Sequence, residues 1–369
     1  MQQKAIKNGQ RIIIAGGGTG GHLFPGIAIA SEVKKRSDDI NILFIVGRRK
    51  MEKEILSRAG FEVRSIAAEG MLGKGFLKGI RAIFKVLIST IQSLGIMRDF
   101  KPHLIVGVGG YTSGPVCLVA WLLGIPTAIH EQNSFPGLTN RLLAPLVKKV
   151  FISFEESRRY FKRGNLFFSG NPIRDEIMHL KTFPRRVNQK FVILVMGGSQ
   201  GARAINRAVV SALKELKAGG HLPSVIHQTG KEDLREVTDD YYALGLDGEV
   251  KAFIEDMALA YRRADLVICR AGATTIAELA SLGKPSILIP YPYAANKHQV
   301  INARSLVAFG GADMILEEDL NGNTLAKKVR RYMEKREELE KMSSLALKAG
   351  RPRAGEIIVD QLMELIKSA

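Results

Sequence analysis

The sequence holds only two cysteines, Cys117 and Cys269, and no CxxC pair or Cys/His cluster. That leaves no donor set for a structural zinc. Each cysteine sits inside an apolar run, Pro-Val-Cys-Leu-Val and Leu-Val-Ile-Cys. Both are expected as buried free thiols in a reducing compartment. No stretch approaches the roughly 18 apolar residues that a membrane-spanning helix needs. The longest candidates, residues 115–125 and 82–97, are too short or are broken by Lys85, Ser89 and Gln92. Residues 1–10 are polar and lack an apolar signal core. The expectation is a cytoplasmic location with no spanning helix. Low-complexity segments are absent too, and no Asp-x-Asp pair is placed to hold a divalent metal.

What is present in excess is positive charge. Lys and Arg number 54 against 36 Asp and Glu, a formal charge of +18 over 369 residues. Such a balance implies an anionic partner: nucleic acid, an acidic membrane face or a phosphorylated substrate. Charged residues at 24% and hydrophobic residues at 46% are otherwise ordinary for a globular chain. The length suits two domains.

Short apolar strands alternate with helices. The strand candidates are residues 11–14, 41–46, 104–108, 127–130, 191–196, 225–228, 250–253, 266–269 and 286–289. This alternation implies parallel α/β sheets. Two halves each open with strand, glycine loop and helix, and a Gly-Asn-Pro turn near residues 171–175 marks the boundary. A closing helix, residues 354–366, has no strand after it and is expected to pack back on the first half.

Gly16, Gly18 and Gly21 fit GxGxxG between a strand and a helix. Glycine lets backbone approach a ligand, and the helix N-terminus presents free N–H groups, so a diphosphate site is the simplest function. A bare strand-to-helix turn is the other reading. The next strand ends in Gly47-Arg48-Arg49 rather than an acid, which disfavours NAD and leaves NADP open. Gly197-Gly198-Ser199-Gln200-Gly201 is a second such loop. Two loops in two domains suggest a ligand between them.

His22 falls in the first helical turn after the glycines, where the helix dipole disfavours imidazolium. It is a candidate general base or, alternatively, a capping or packing residue. His130-Glu131-Gln132-Asn133 ends a strand and is placed to line a ligand crevice or to serve as a structural hydrogen-bonding cluster. Thr275-x-x-Glu278 fits a helix capping box, and so does Ser153-x-x-Glu156. For Glu278 a second reading is contact with ribose hydroxyls. Lys78, Arg81 and Lys85 share one face of a helix over residues 76–97, with Ile80, Ile83, Phe84, Leu87 and Ile91 opposite. The stripe is either solvated or, with Lys74, Phe76 and Leu77, in contact with anionic lipid.

Five motifs together resemble the signature series of the MurG family, the undecaprenyl-diphospho-muramoylpentapeptide N-acetylglucosaminyltransferases. They are residues 16–22, His130-Glu131-Gln132-Asn133, Gly170-Asn171-Pro172-Ile173-Arg174, residues 197–202 and residues 270–278, in the family's order from about 11 to 306. The resemblance implies an α/β GT-B fold, two Rossmann-like domains with parallel sheets facing across a deep cleft. Residues 1–174 would be the acceptor and membrane-facing domain, with residues 352–369 returning to it. Residues 175–351 would bind UDP-GlcNAc.

The implied reaction transfers GlcNAc with inversion from UDP-GlcNAc to the C4 hydroxyl of MurNAc in lipid I, giving lipid II for the cell wall. The implied site comprises Thr19, Gly20 and Gly21 near the phosphates, Asn133 at the donor, Arg174, and Ser199. It continues with Ile254 at uracil, Ala273, Thr274, Thr275, Ile276, Ala277 and Glu278 around the nucleoside, and Gln299 near the sugar. The family often has two glutamines where this chain has His298-Gln299. His22 would act as the base, with no metal or other cofactor. The implied partners are UDP-GlcNAc, lipid I and the anionic inner face of the cell membrane, and not nucleic acid. A UDP-GlcNAc 2-epimerase and an NADP-binding oxidoreductase or module remain the alternatives.

Overall fold

The computed structural model describes residues 9–18, 20–68, 76–178, 180, 190–198, 200–246 and 248–368, with the backbone alone for residues 76–83. The chain divides into two compact units, Met1–Asp175 with Arg351–Ala369, and Glu176–Gly350.

Unit 1 begins with β1 (Arg11–Ala15), α1 (Gly20–Arg36), β2 (Asn41–Val46), α2 (Lys50–Arg58) and β3 (Glu62–Ser65). It continues with α3 (Phe76–Phe100), β4 (Leu104–Gly107), α4 (Gly110–Leu122), β5 (Thr127–Glu131) and α5 (Leu138–Leu143). Then come β6 (Lys149–Ile152), β7 (Leu166–Phe168) and the short α6 (Asp175–Met178), which leads into unit 2. Unit 2 holds β8 (Val192–Met196), α7 (Arg203–Ala218), β9 (Ser224–Gln228), α8 (Leu234–Ala243), β10 (Gly248–Lys251) and α9 (Met257–Arg263). After these follow β11 (Leu266–Cys269), α10 (Ala273–Leu282), β12 (Ser286–Leu288), α11 (His298–Ala308), β13 (Asp313–Met314), α12 (Gly322–Glu334) and α13 (Arg336–Ala349). The chain then returns to unit 1 as α14 (Ala354–Lys367).

Strand order is β3-β2-β1-β4-β5-β6-β7 in one sheet and β10-β9-β8-β11-β12-β13 in the other. Every pairing is parallel. Both are Rossmann-like sheets, and in each the order reverses beside the first strand of its unit. That reversal opens a crevice at the C-terminal ends of β1 and β4, and again at those of β8 and β11. The glycine loops follow β1 and β8, so the topology alone puts each at the crevice of its own sheet.

Parallel strands are covered on both faces, which is why β1 reads as an unbroken apolar run. Ile12 and Ile14 point to one side with Phe44, Val106 and residues of α14. Ile13 and Ala15 point to the other, with Ile105, Ile129, Val116 and Cys117. Both cysteines are free and buried, and burial pushes the Cys117 thiol up to about 12.

From α14, Ile358, Val359, Leu362 and Met363 fill the core beside α1. Truncating Leu362 to alanine is expected to cost about 2–5 kcal/mol. Urea unfolding followed by circular dichroism reads this as a lower midpoint. An unmoved midpoint would mean that α14 contributes nothing to the core.

Several local expectations give way to tertiary packing. From the apolar run that begins at Pro115, a helix starting there would be expected. Instead α4 starts at Gly110 and carries Pro115 inside it, with Gly109 as its N-cap. The poor helix formers Thr112 and Ser113 are helical because they are buried. Neither expected capping box forms. Helix α10 begins at Ala273 behind an N-cap at Gly272, which puts Thr275 inside the first turn. Ser153 instead donates from its hydroxyl to the Glu131 carbonyl at 2.9 Å.

Helix α3 lies along its unit the opposite way from a surface helix with its apolar side inward. Ser89, Ser93 and Met97 are buried, while Phe84, Leu87 and Ile91 are 61%, 54% and 70% exposed. Trp121 and Leu122 of α4 and Leu138 and Leu142 of α5 are also exposed. Helix α4 packs on both α3 and α5. Among the described residues no helix is long and apolar enough to cross a membrane.

Candidate active site

In unit 1 the backbone turns sharply after β1 and enters α1, with positive φ at Gly17 and Gly18. The buried Glu52, from the first turn of α2, braces this turn and accepts the Gly18 N–H at 2.7 Å. Arg49 donates to the Gly18 carbonyl. Gly20 and Gly21 form the first turn of α1. Thr19 lies outside the described residues.

His22 extends from that first turn toward the end of β5. Its Nδ1 lies 2.9 Å from Gln132 Oε1. Gln132 Nε2 donates to the Val108 carbonyl at 2.9 Å and lies 3.0 Å from His130 Nδ1. His130 Nε2 reaches the Gly170 carbonyl at 3.3 Å. Burial pulls His130 down to about 4, so its ring is neutral at physiological pH. Gly109 is essential to this packing: at φ 91°, a Cβ there would stand 2.8 Å from His22 Nδ1.

Glu131, also buried, shapes the next turn. It accepts from the Asn133 N–H at 2.9 Å, the Gly137 N–H at 3.0 Å and Asn140 Nδ2 at 2.8 Å. Asn133 is thereby held just past the end of β5. The Gly-Asn-Pro turn after β7 delivers Arg174 to α1, where its guanidinium lies 5.1 Å over the Phe24 ring. His22, Asn133 and Arg174 are therefore fixed on one unit by the strand ends and the start of α1.

Unit 2 repeats the arrangement with different chemistry. The turn after β8 closes through the Gly201 N–H donating to the Gly198 carbonyl at 3.1 Å. Gly201 has φ +79°, and a side chain there would strike the Thr229 carbonyl. Ser199 lies outside the described residues. Gln228, at the end of β9, donates from Nε2 to the Gly198 carbonyl at 2.8 Å and accepts the Ile254 N–H at 2.9 Å. The glycine turn and the Ile254 segment are thus tied through one buried amide.

Ala273 to Glu278 form the first turn and a half of α10, directly after β11, which pairs with β8. Ala273 and Ile276 are buried, and Thr274, Thr275 and Ala277 are partly exposed. Glu278 is buried and accepts from the Tyr261 hydroxyl at 2.9 Å. Gln299, in the first turn of α11, accepts the Tyr291 N–H at 2.9 Å. His298 bonds the Ala295 carbonyl through Nδ1 at 2.8 Å, within its own turn.

Lys85 is exposed on α3 beside Phe84. The side chains of Phe76, Leu77, Lys78 and Arg81, and all of Lys74, lie outside the described residues. Sequence reasoning missed the bracing roles of Glu52, Gln228 and Tyr261. Gln228 carried one signal, a polar residue closing an apolar strand.

Comparison with known proteins agrees with this geometry. The chain matches the glycosyltransferase family 28 N-terminal domain over residues 12–152 and the C-terminal domain of that family over residues 192–356. It is 45% identical to the UDP-N-acetylglucosamine–N-acetylmuramyl-(pentapeptide) pyrophosphoryl-undecaprenol N-acetylglucosamine transferase of Myxococcus xanthus, covering 96% of this chain and 93% of that protein. The crystal structure of Acinetobacter baumannii MurG superposes with a TM-score of 0.77 at 29% identity, over 96% of this chain and 99% of that one. A UDP-GlcNAc 2-epimerase from Neisseria meningitidis shares the fold alone, with a TM-score of 0.68 at 16% identity over 96% of this chain and 99% of that one. With one relationship running through both units, the chain belongs to the MurG family within glycosyltransferase family 28.

Proposed function

We infer that the chain is an inverting hexosyltransferase that moves GlcNAc from UDP-GlcNAc to the C4 hydroxyl of MurNAc in lipid I, forming lipid II for peptidoglycan synthesis. The observation that carries this reading is the 45% identity to a transferase of that name across 96% of the chain. Unit 1 takes the lipid-linked acceptor and unit 2 the sugar nucleotide.

The reaction is a single displacement. The acceptor C4 oxygen bonds to the anomeric carbon of GlcNAc as the bond from that carbon to the UDP oxygen breaks. His22 takes the hydroxyl proton. UDP leaves with the bonding pair. Backbone N–H groups of the turn after β8, with Ser199, stabilise the charge that develops on the diphosphate, and Arg174 adds a cation. Ile254 packs at the uracil, residues 273–278 enclose the nucleoside with Glu278 at the ribose, and Asn133 and Gln299 contact the donor sugar. Thr19, Gly20 and Gly21 approach the acceptor phosphates.

The acceptor is lipid-linked, so the enzyme works at a membrane surface. Exposed Phe84, Leu87 and Ile91 of α3 are apolar groups suited to enter the cytoplasmic leaflet. Lys74, Phe76, Leu77, Lys78, Arg81 and Lys85 extend the same segment, and its cations attract anionic headgroups. The protein is then a peripheral protein of the inner face of the cell membrane.

The test uses the full chain, UDP-GlcNAc labelled in the sugar and a lipid I analogue. Label is expected to move to the acceptor, with UDP released in equal amount. Turnover of UDP-GlcNAc without acceptor, and no labelled lipid, would replace this reading with the epimerase.

A further inference from the structure

We infer that Gln132 is the positioning residue that fixes the tautomer of His22, leaving Nε2 as the nitrogen that receives the acceptor's proton. The inference builds on the reading of His22 as the base. It adds how a neutral amide selects the reactive nitrogen.

The hydrogen-bond directions follow from the partners. The Val108 carbonyl only accepts, and it lies 2.9 Å from the Gln132 side chain. That contact fixes the amide NH2 toward Val108, because the flipped amide would set oxygen against oxygen. The Gly170 carbonyl likewise only accepts, so His130 carries its proton on Nε2. The Ser153 hydroxyl, 3.2 Å from the same nitrogen, spends its own proton on the Glu131 carbonyl. His130 Nδ1 is then a lone pair, and the Gln132 NH2 donates to it at 3.0 Å.

With both ends of the relay determined, Gln132 Oε1 has one role left, as acceptor toward His22 Nδ1 at 2.9 Å. In the neutral ring that places the proton on Nδ1 and the lone pair on Nε2. Among the described residues no hydrogen bond is made at His22 Nε2, and the ring is partly exposed. Each link in the relay is buried except the last, at the partly exposed His22.

The choice of an amide has chemical consequences. A carboxylate at this position would also orient the ring, but it would hold the imidazolium once formed. An uncharged amide sets the orientation and leaves the proton free to pass to solvent after each turnover. His130 is the other titratable ring near His22; it is buried and neutral and adds no charge. Gly109 contributes no side chain and lets the His22 ring lie against the backbone.

The experiment uses the full chain with 15N-labelled histidine. Long-range 1H–15N spectra read the tautomer of each ring, and His22 is assigned by the signals lost in His22→Ala. The expected wild-type result is Nδ1–H for His22 and Nε2–H for His130. Gln132→Met should move His22 toward Nε2–H and lower kcat by about a hundredfold, with KM for UDP-GlcNAc little changed. An Nε2–H proton on wild-type His22 overturns the inference. So does a folded Gln132→Met protein in which His22 keeps Nδ1–H, and the wild-type spectrum decides the matter even if that variant fails to fold. Near-normal turnover in His22→Ala with the Nδ1–H signal present would instead remove the base reading and leave the tautomer assignment standing.

Discussion

Replacing His22 by alanine is expected to lower kcat for transfer to a lipid I analogue by about 10²- to 10⁴-fold, the usual range for a lost general base. UDP affinity, measured by calorimetry, should stay within about twofold, because the ring belongs to unit 1 and makes its side-chain bond there, to Gln132. The size of the drop has a chemical origin. A sugar hydroxyl is a weak nucleophile until its proton leaves, and a positioned imidazole removes it within the transition state. The split between kcat and UDP affinity separates this role from packing. A ring that only packed against Gly109 would lose stability on truncation and leave the rate of the folded fraction intact. Near-normal turnover would end the assignment.

Converting Phe84, Leu87 and Ile91 of α3 together to serine should release the protein from vesicles containing phosphatidylglycerol. If each side chain is about half inserted it contributes about 1 kcal/mol. Three give about 3 kcal/mol, roughly a hundredfold in partition. The substitutions lie on an exposed face, so the fold should be untouched and UDP binding unchanged. Charge reversal at Lys78, Arg81 and Lys85 removes a different contribution, about 1 kcal/mol for each cation near an anionic surface. Salt tells the two apart: the electrostatic loss shrinks as ionic strength rises, and the apolar loss does not. If the triple serine variant binds vesicles as the parent does, another surface meets the lipid.

Much of this was legible from residue order alone, and the reasons are local. Unbroken apolar runs such as Ile12-Ile13-Ile14 can only be strands covered on both sides, and each is followed by glycines where the chain must turn tightly. The short strands β3, β6, β7 and β13 left no such mark. β3, β7 and β13 are only partly buried and lie toward the sheet edges. The apolar spacing of α3 identified a helix, but periodicity cannot say which side meets the sheet, and Ser89 and Ser93 took the place expected of leucines and isoleucines.

The site residues divide in the same way. His22 stood out because a glycine turn and a helix start flank it in sequence. Gln132 and Gln228 act between segments that are far apart in the chain, 110 residues for His22 with Gln132 and 26 for Gln228 with Ile254. Their roles come from bond directions that only assembled backbone supplies. Thr275 and Glu278 had the spacing of a cap, and the helix began three residues too early for them to serve as one.

Helix α14 carries an implication for how the protein is made. Its residues Ile358 and Leu362 are core of the first-synthesised unit, yet they leave the ribosome after all of the other unit. Until then the groove over α1 and β4 stays greasy and open. A nascent chain stalled near residue 340 should therefore be a ready client for chaperones, and the lag between the two folding events is set by translation speed rather than by either sheet.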